Sequence, residues 1–211
     1  MKNKRDGNLL KILGLLLIVA ALSLAGYSLW GEYRAERNAD AALAQVEAVL
    51  EPSVEPETGA LEAAETKAPI PEYVTNPDMP MPEREIDGEL YIGVVEIPSL
   101  SLSLPVIGEW SDERLKTAPC RYVGSAYTKD LIISGHSYKK HFRYIRKLAV
   151  GDRVTFTDMD GNRFIYEVSG TEVVDGSDAE RMVAGDWDLT LFTCTYNGSA
   201  RHAVRCREVE E

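Results

Sequence analysis

Cysteine and histidine are scarce in this chain, with three of each in 211 residues. Cysteines at 120, 194 and 206 are too few and too scattered to staple a small fold with disulfides. A bridge between Cys120 and Cys206 outside a cell, or two buried thiols, are both open readings. Cys194, His202 and Cys206 match no common structural-zinc spacing, and strand alternation throws His202 to the face opposite Cys194, so no metal is expected. Acidic residues around 172–188 are read as solvated rather than as a calcium site. Basic residues are in the minority, 23 against 34 acidic for a formal charge of −11. No basic stripe is present that could neutralise phosphates, which excludes nucleic acid as a partner. Long apolar runs are missing too, with one exception, and no second span is expected because the sequence closes on the charged stretch CREVEE.

The exception lies at the N-terminus. Lys2, Lys4, Arg5 and Lys11 precede an uncharged run from Ile12 to Gly31. At about 1.5 Å per residue that run spans roughly the 30 Å of a bilayer core. Tyr27 and Trp30 stand where an interfacial aromatic belt belongs, and the positive cluster precedes the span. The expectation is a single-pass anchor in the cell membrane: residues 1–11 cytoplasmic, 12–31 in the bilayer, the rest extracellular. The competing reading is a cleaved signal peptide, whose apolar core is usually about 7–15 residues and therefore shorter than this run.

After the span, residues 32–50 have the alanine and leucine spacing of a juxtamembrane helix. Residues 51–87 hold seven of the ten prolines among many glutamates. Missing backbone donors and like-charge repulsion predict an extended, unpacked stalk, with a lid over a site as the alternative. Residues 88–211 have the turn density of an all-β domain. ELYIGVVEIPSL, LSLPVIG and KDLIISGHS read as strands, DRVTFTDMDGNRFIYEV as a hairpin around Asp160-Gly161, and TEVVDGS as a further strand. YKKHFRYIRKLAVGD holds one helical turn. About seven to eight short strands predict a closed barrel with short helices, an arrangement that leaves no edge exposed.

The last hairpin, DWDLTLFTCTYNGSARHAVRC, carries chemistry. A two-residue turn at Asn197-Gly198 sets Cys194 directly opposite Arg201, with Cβ atoms about 5 Å apart. His202 then faces Thr193 on the other side, and Arg205 falls opposite Thr190, roughly 13 Å along the strand. A cation beside a thiol favours the thiolate and can donate to a developing oxyanion. An acid for the leaving group must come from the few histidines. His136 leaves the buried strand LIISG with a glycine behind it and can aim into a cleft; His141 sits in a polar segment where a solvated ring is the default. From the residues alone, a cysteine ending a strand is also compatible with a buried small hydrophobe.

LTLFTC followed by an arginine, downstream of LIISGHS, resembles the sortase signature, in which a TLxTC strand carries the nucleophile. VVEIPSLSLSLPVIG and HFRYIRKLAVGDRVTF are similar to other stretches of that family, over about residues 90–207 and in the same order. The resemblance implies a sortase-like β-barrel with Cys194 as nucleophile, His136 as general acid/base and Arg201 as substrate-positioning and oxyanion-stabilising residue. Thr193 matches the motif's threonine and is carried over as substrate-binding. The implied reaction is transpeptidation: an LPXTG-like, C-terminal sorting signal of a secreted protein is cut through a thioester and passed to a cell-wall or pilin amine, as on Gram-positive surfaces, without a cofactor. The short segment between FIYEV and DLTLFTC disfavours the sortase class with a long inserted helix, and GDWD before the nucleophile strand is a candidate wall of the signal pocket. Two other readings stay open: an extracellular cysteine peptidase, although papain-like enzymes place the cysteine on a helix, and a stalked non-catalytic binding module, although Cys, His and Arg are all retained.

Overall fold

Alternation along the strands determines what the fold encloses. In β7 (Arg163–Asp175), Phe164, Tyr166 and Val168 are buried while Arg163 and Glu167 face solvent, so one side of the strand fills an interior. The computed structural model describes residues 3–50, 70–195 and 197–210. Around β7 stand β1 (Arg84–Ile86), β2 (Glu89–Ile97), β3 (Leu102–Ile107), β4 (Cys120–Val123), β5 (Leu131–Ser134), β6 (Arg153–Asp158), β8 (Leu189–Cys194) and β9 (Ala200–Glu208). They are ordered β1-β2-β3-β4-β5-β8-β9-β7-β6, and β2 pairs back onto β6. Eight strands, β2 to β9, therefore close into a barrel, with β1 as an extra ribbon on β2. Closure brings the β6 backbone so close to Gly93 that a Cβ there would collide with the Thr157 carbonyl oxygen. Val95, Ile133, Phe156, Tyr166, Leu189 and Val204 fill the inside.

Several local readings change once the chain is folded. FIYEV and TEVVDGS are one strand, β7, which carries a bulge between Val168 and Gly170 instead of a turn. The helical turn after His136 is a 3₁₀ segment, Phe142–Lys147, that drives Phe142 and Ile145 into the core. It drags His141 inside with it, to 1% exposure, so that histidine is not solvated. Cys120 and Cys206 are free thiols in separate apolar clusters, and burial pushes each up to about 12, far from reactive.

The helix that precedes the barrel packs onto it. A single helix, α1 (Asn3–Leu50), runs through both the apolar run and the segment after it. Its stretch Lys11–Gly31 is long and apolar enough to cross a membrane. Farther along, Ala39, Ala42 and Val46 share one face and are buried against the barrel, small side chains that let the helix come close. Lys140–Asp40 and Gln45–Asp87 contacts flank that seam. Of the expected stalk, residues 51–69 lie outside the described residues. Residues 70–87 do not stand clear of the barrel: Tyr73, in α2 (Glu72–Thr75), stacks on Tyr127 at 4.5 Å, and Met81 is buried beneath the Ala126 amide. Aromatic and methionine burial there, at about 1.5–3 kcal/mol per side chain, outweighs the extending effect of the prolines.

Candidate active site

Three adjacent strands set one row of side chains. β5 and β8 run parallel, in the register Leu131↔Leu189 through Ser134↔Phe192. The Gly135 amide continues the ladder by donating to the Phe192 carbonyl at 2.9 Å. His136 follows Ser134, the last paired residue of β5, by two positions and lines the same cavity as Cys194. On the other side of β8, β9 runs antiparallel and pairs Cys194 with Arg201, Thr193 with His202 and Thr190 with Arg205, the pairing expected from the sequence. The turn that produces it is different. Gly198 donates to the Thr195 carbonyl and is left-handed at φ 74°, so it is the fourth residue of the turn rather than a central one. The loop is longer yet centred at the same point, and the register is unchanged. Asn197 caps it by accepting from the Thr195 hydroxyl and from the Ser199 amide and hydroxyl.

His136, Cys194 and Arg201 all line one cavity of about 360 Å³. Cys194 is the exposed end of an otherwise buried strand. Arg201 is steadied by Nη1 donating to the Gly198 and Ala200 carbonyls at 3.0 and 3.2 Å. Asp175, on the cavity rim, is held below the usual carboxylate range by Ser177 hydrogen bonds, with Arg201 adding its charge. Trp110, Tyr122 and Phe192 form an edge-to-face chain along one wall, with centroids 6.2 and 5.4 Å apart. Leu115 and Met182 extend this apolar lining. Among the described residues no group of His, Cys, Asp and Glu side chains is arranged to hold a metal.

Thr193 is placed elsewhere. Alternation buries it at 3% exposure on the strand face away from Cys194, opposite His202, and it does not line the cavity. Thr193, carried over as substrate-binding, therefore offers this cavity no side chain. GDWD is placed elsewhere as well: it lies at the far end of β8, where Asp188 accepts from the Glu208 amide and Arg207 lies over Trp187. Trp110, Asp112 and Lys116, on the β3–β4 connection, and Met182, in α3 (Ala179–Val183), are cavity residues that sequence reading missed. The only signal they offered was a tryptophan inside a polar loop.

His136 owes its position to its neighbours. A Cβ on Gly135 would run into the Phe142 ring, so only glycine lets the histidine turn pack there. The imidazole stacks on Tyr138 with centroids 4.0 Å apart. Gly135→Ala is expected to cost about 1–3 kcal/mol and to displace His136. Urea unfolding and peptide transfer measure both losses, and the pair Gly135→Ala/Phe142→Leu should recover part of each; a neutral Gly135→Ala would refute the packing argument.

Burial and charge together set the resting form of the same ring. Burial, and then the Lys116 ammonium, push His136 below its ordinary value, against a smaller opposing pull from Asp112. A neutral imidazole, ready to accept a proton, is the result near neutral pH. Lys116 is itself bound to Glu113 at 2.6 Å. Lys116→Gln removes the cation and releases the Glu113 charge, and both changes favour imidazolium. The titration of His136, followed by NMR, should therefore move to higher pH, and the acid limb of the rate profile with it. A shift downward would contradict this.

The acidic stretch 172–188 is engaged within the protein. Arg205, 3% exposed, donates from Nε to Glu172 at 2.9 Å, from Nη1 to the Met182 carbonyl and Thr190 hydroxyl at 2.7 and 3.0 Å, and from Nη2 to the Arg181 carbonyl at 2.9 Å. Burial raises the Glu172 carboxyl, but hydrogen bonds from Arg205 and Arg181 outweigh it and hold it low. Asp178 accepts from the Arg181 amide and so caps α3.

Comparison with known proteins agrees with this geometry. The family model described as Sortase domain matches residues 95–209. Comparison with curated protein sequences returns no match. Sortase C1 from Streptococcus agalactiae superposes with a TM-score of 0.51 at 26% identity, over 60% of this chain and 72% of that one. A Clostridium perfringens sortase C, solved with the C-terminal cell wall sorting motif, gives 0.51 at 25%, over 62% and 74%. A Clostridium perfringens sortase D5 transpeptidase shares the fold, at 0.52 and 22%, over 66% and 88%. With the family model spanning more than half its length, an eight-stranded barrel of this topology and the TLxTC strand in place, the chain belongs to the sortase family.

Proposed function

We propose that this sortase is a membrane-anchored cysteine transpeptidase that cuts an LPXTG-like signal near the C-terminus of secreted proteins and joins them to an amine of the cell wall or of a pilin. The observation that carries the reading is the row across β5, β8 and β9, which brings a histidine, an exposed thiol and an arginine to one cavity. The aromatic and apolar wall suits the leucine and proline of such a signal. The neighbouring sortase C solved with a sorting motif supports the same substrate class.

In the first half-reaction Cys194 Sγ passes its proton to the neutral His136 and forms a bond to the scissile carbonyl carbon, and Arg201 donates to the oxygen as charge gathers there. The C–N bond breaks and His136 supplies the proton that the departing amine takes. The resulting thioester retains the energy of the broken peptide bond. An uncharged amine then attacks the same carbon, its surplus proton passes to His136, and the C–S pair returns to sulfur. Lys11–Gly31, as an anchor with the domain outside the cell, keeps enzyme and membrane-bound substrates at high effective concentration.

The test is a library of LPXTG-like peptides incubated with the full chain, with and without triglycine or hydroxylamine, and read by mass. An amine-dependent ligated product that is lost in Cys194→Ala and His136→Ala supports the reading. Arg201→Ala should slow the reaction by about 10²–10³-fold, the usual loss for one oxyanion donor. Cleavage that added amine never diverts would instead make the protein a peptidase.

A further inference from the structure

A second cavity, of about 560 Å³, also has His136 in its lining. One wall is α1, through Tyr27, Trp30, Gly31, Arg34 and Asn38. The other is the loop of Glu113 and Lys116 together with the turn His136–Tyr138. His136 and Lys116 line both cavities, whereas Cys194 and Arg201 line only the first. This division matters for a reaction with two substrates. The donor carbonyl must sit between the thiol and the guanidinium, hence in the first cavity. The second substrate needs neither group; it needs the base and a route to the thioester carbon that the donor does not block.

We infer that the cleft between α1 and the His136 turn is the entry and binding site for the primary amine that resolves the thioester. This rests on the transpeptidase reading above and adds the acceptor's location. Glu89 and Glu113 line the cleft and offer carboxylate oxygens to an ammonium, although each already binds Arg114 or Lys116. The amine, once uncharged, forms the C–N bond to the thioester carbon. The C–S electron pair returns to Cys194 Sγ, and the surplus proton goes to His136 from the cleft's own side. Because Tyr27, Trp30 and Gly31 also end the apolar stretch Lys11–Gly31, the cleft opens at the height of lipid headgroups when that stretch spans a bilayer.

The test uses the full chain in phospholipid vesicles with a donor peptide and triglycine. Ligated and hydrolysed products come from one acyl-enzyme, so their ratio does not depend on how fast the acyl-enzyme forms. A Cβ at Gly31 meets nothing within 4 Å, so Gly31→Trp adds bulk without strain; Asn38, exposed on the same wall, accepts Asn38→Trp. Each is expected to lower the ligation-to-hydrolysis ratio at least about tenfold, since misplacing a reactant by about 1 Å can cost 10²-fold. Ala44→Trp, exposed on α1 but outside the cleft, should leave the ratio alone. Ratios within about twofold of wild type, below 0.5 kcal/mol, for both filling variants would overturn the assignment. A wild-type chain that makes neither product would instead overturn the transpeptidase reading and the acceptor site with it. Triglycine free in solution and triglycine joined to a lipid headgroup separate the two sources of amine: about tenfold preference for the joined form marks a membrane-borne acceptor, and equal use marks a soluble one.

Discussion

Replacing Cys194 with alanine is expected to eliminate both cleavage and ligation, a loss of at least about 10³-fold, with little change in stability. The thiol ends β8 at the surface of the cavity, where its removal leaves no buried void, so folding and catalysis separate cleanly. Cys120→Ala and Cys206→Ala should show the reverse pattern: both thiols are fully buried, and each change should cost stability while leaving the chemistry in place. His136→Ala belongs with Cys194→Ala. In the proposed reaction the pair acts as one unit, because attack and leaving-group protonation need both, and the double variant should therefore be hardly slower than either single one. Additive losses in the double variant would mean that the two residues do not share a step. Thermal melts beside peptide-transfer rates provide both readouts.

Arg205→Ala is expected to show the largest stability loss of any single substitution considered, about 3–5 kcal/mol. For a chain of this length that corresponds to a fall in Tm of roughly 6–20 °C. One guanidinium on β9 satisfies a carboxylate on β7, a hydroxyl on β8 and two carbonyls of α3. Its removal takes this donor from the hydroxyl and both carbonyls, leaves the carboxylate to Arg181 alone, and opens a void where the side chain was 3% exposed. Arg205→Lys should recover only part, because an ammonium cannot reproduce the planar fork. Since Met182 of α3 also lines the cavity, activity should fall in step with the melting of this corner. A loss below about 1 kcal/mol would show that the network contributes little more than a surface ion pair.

Arg201 and Arg205 illustrate what could be read from the amino-acid sequence. Arg201 was identifiable because strand pairing is arithmetic: a loop centred between 197 and 198 fixes 194 opposite 201 whatever its turn type. Arg205 was visible only as the wrong partner for Cys194, since its four contacts come from segments 15 to 33 residues away. His136 followed from LIISGH as a buried strand with a glycine exit, but its place in one cavity with Cys194 depends on the parallel β5–β8 pairing, which crosses over 50 residues and leaves no local mark. Thr193 was carried over with its motif, and simple alternation, applied one residue further, would have placed it in the core. Composition misled in two places. Prolines and glutamates around 70–87 suggested an unpacked stalk, yet Tyr73, Met79 and Met81 were the residues that decided. The polar stretch around His141 hid two core anchors, Phe142 and Ile145.

The central claim is a thioester on Cys194 that an amine resolves. The measurement that reaches it most directly is intact-mass analysis of the full chain, quenched in acid seconds after mixing with an LPXTG-like peptide. The account predicts an adduct equal to the peptide up to its threonine, located on Cys194, absent in Cys194→Ala, and discharged into ligated product when triglycine is added. An adduct that water clears at the same rate with or without triglycine, or peptide turnover with no adduct and an intact rate in Cys194→Ala, would contradict it.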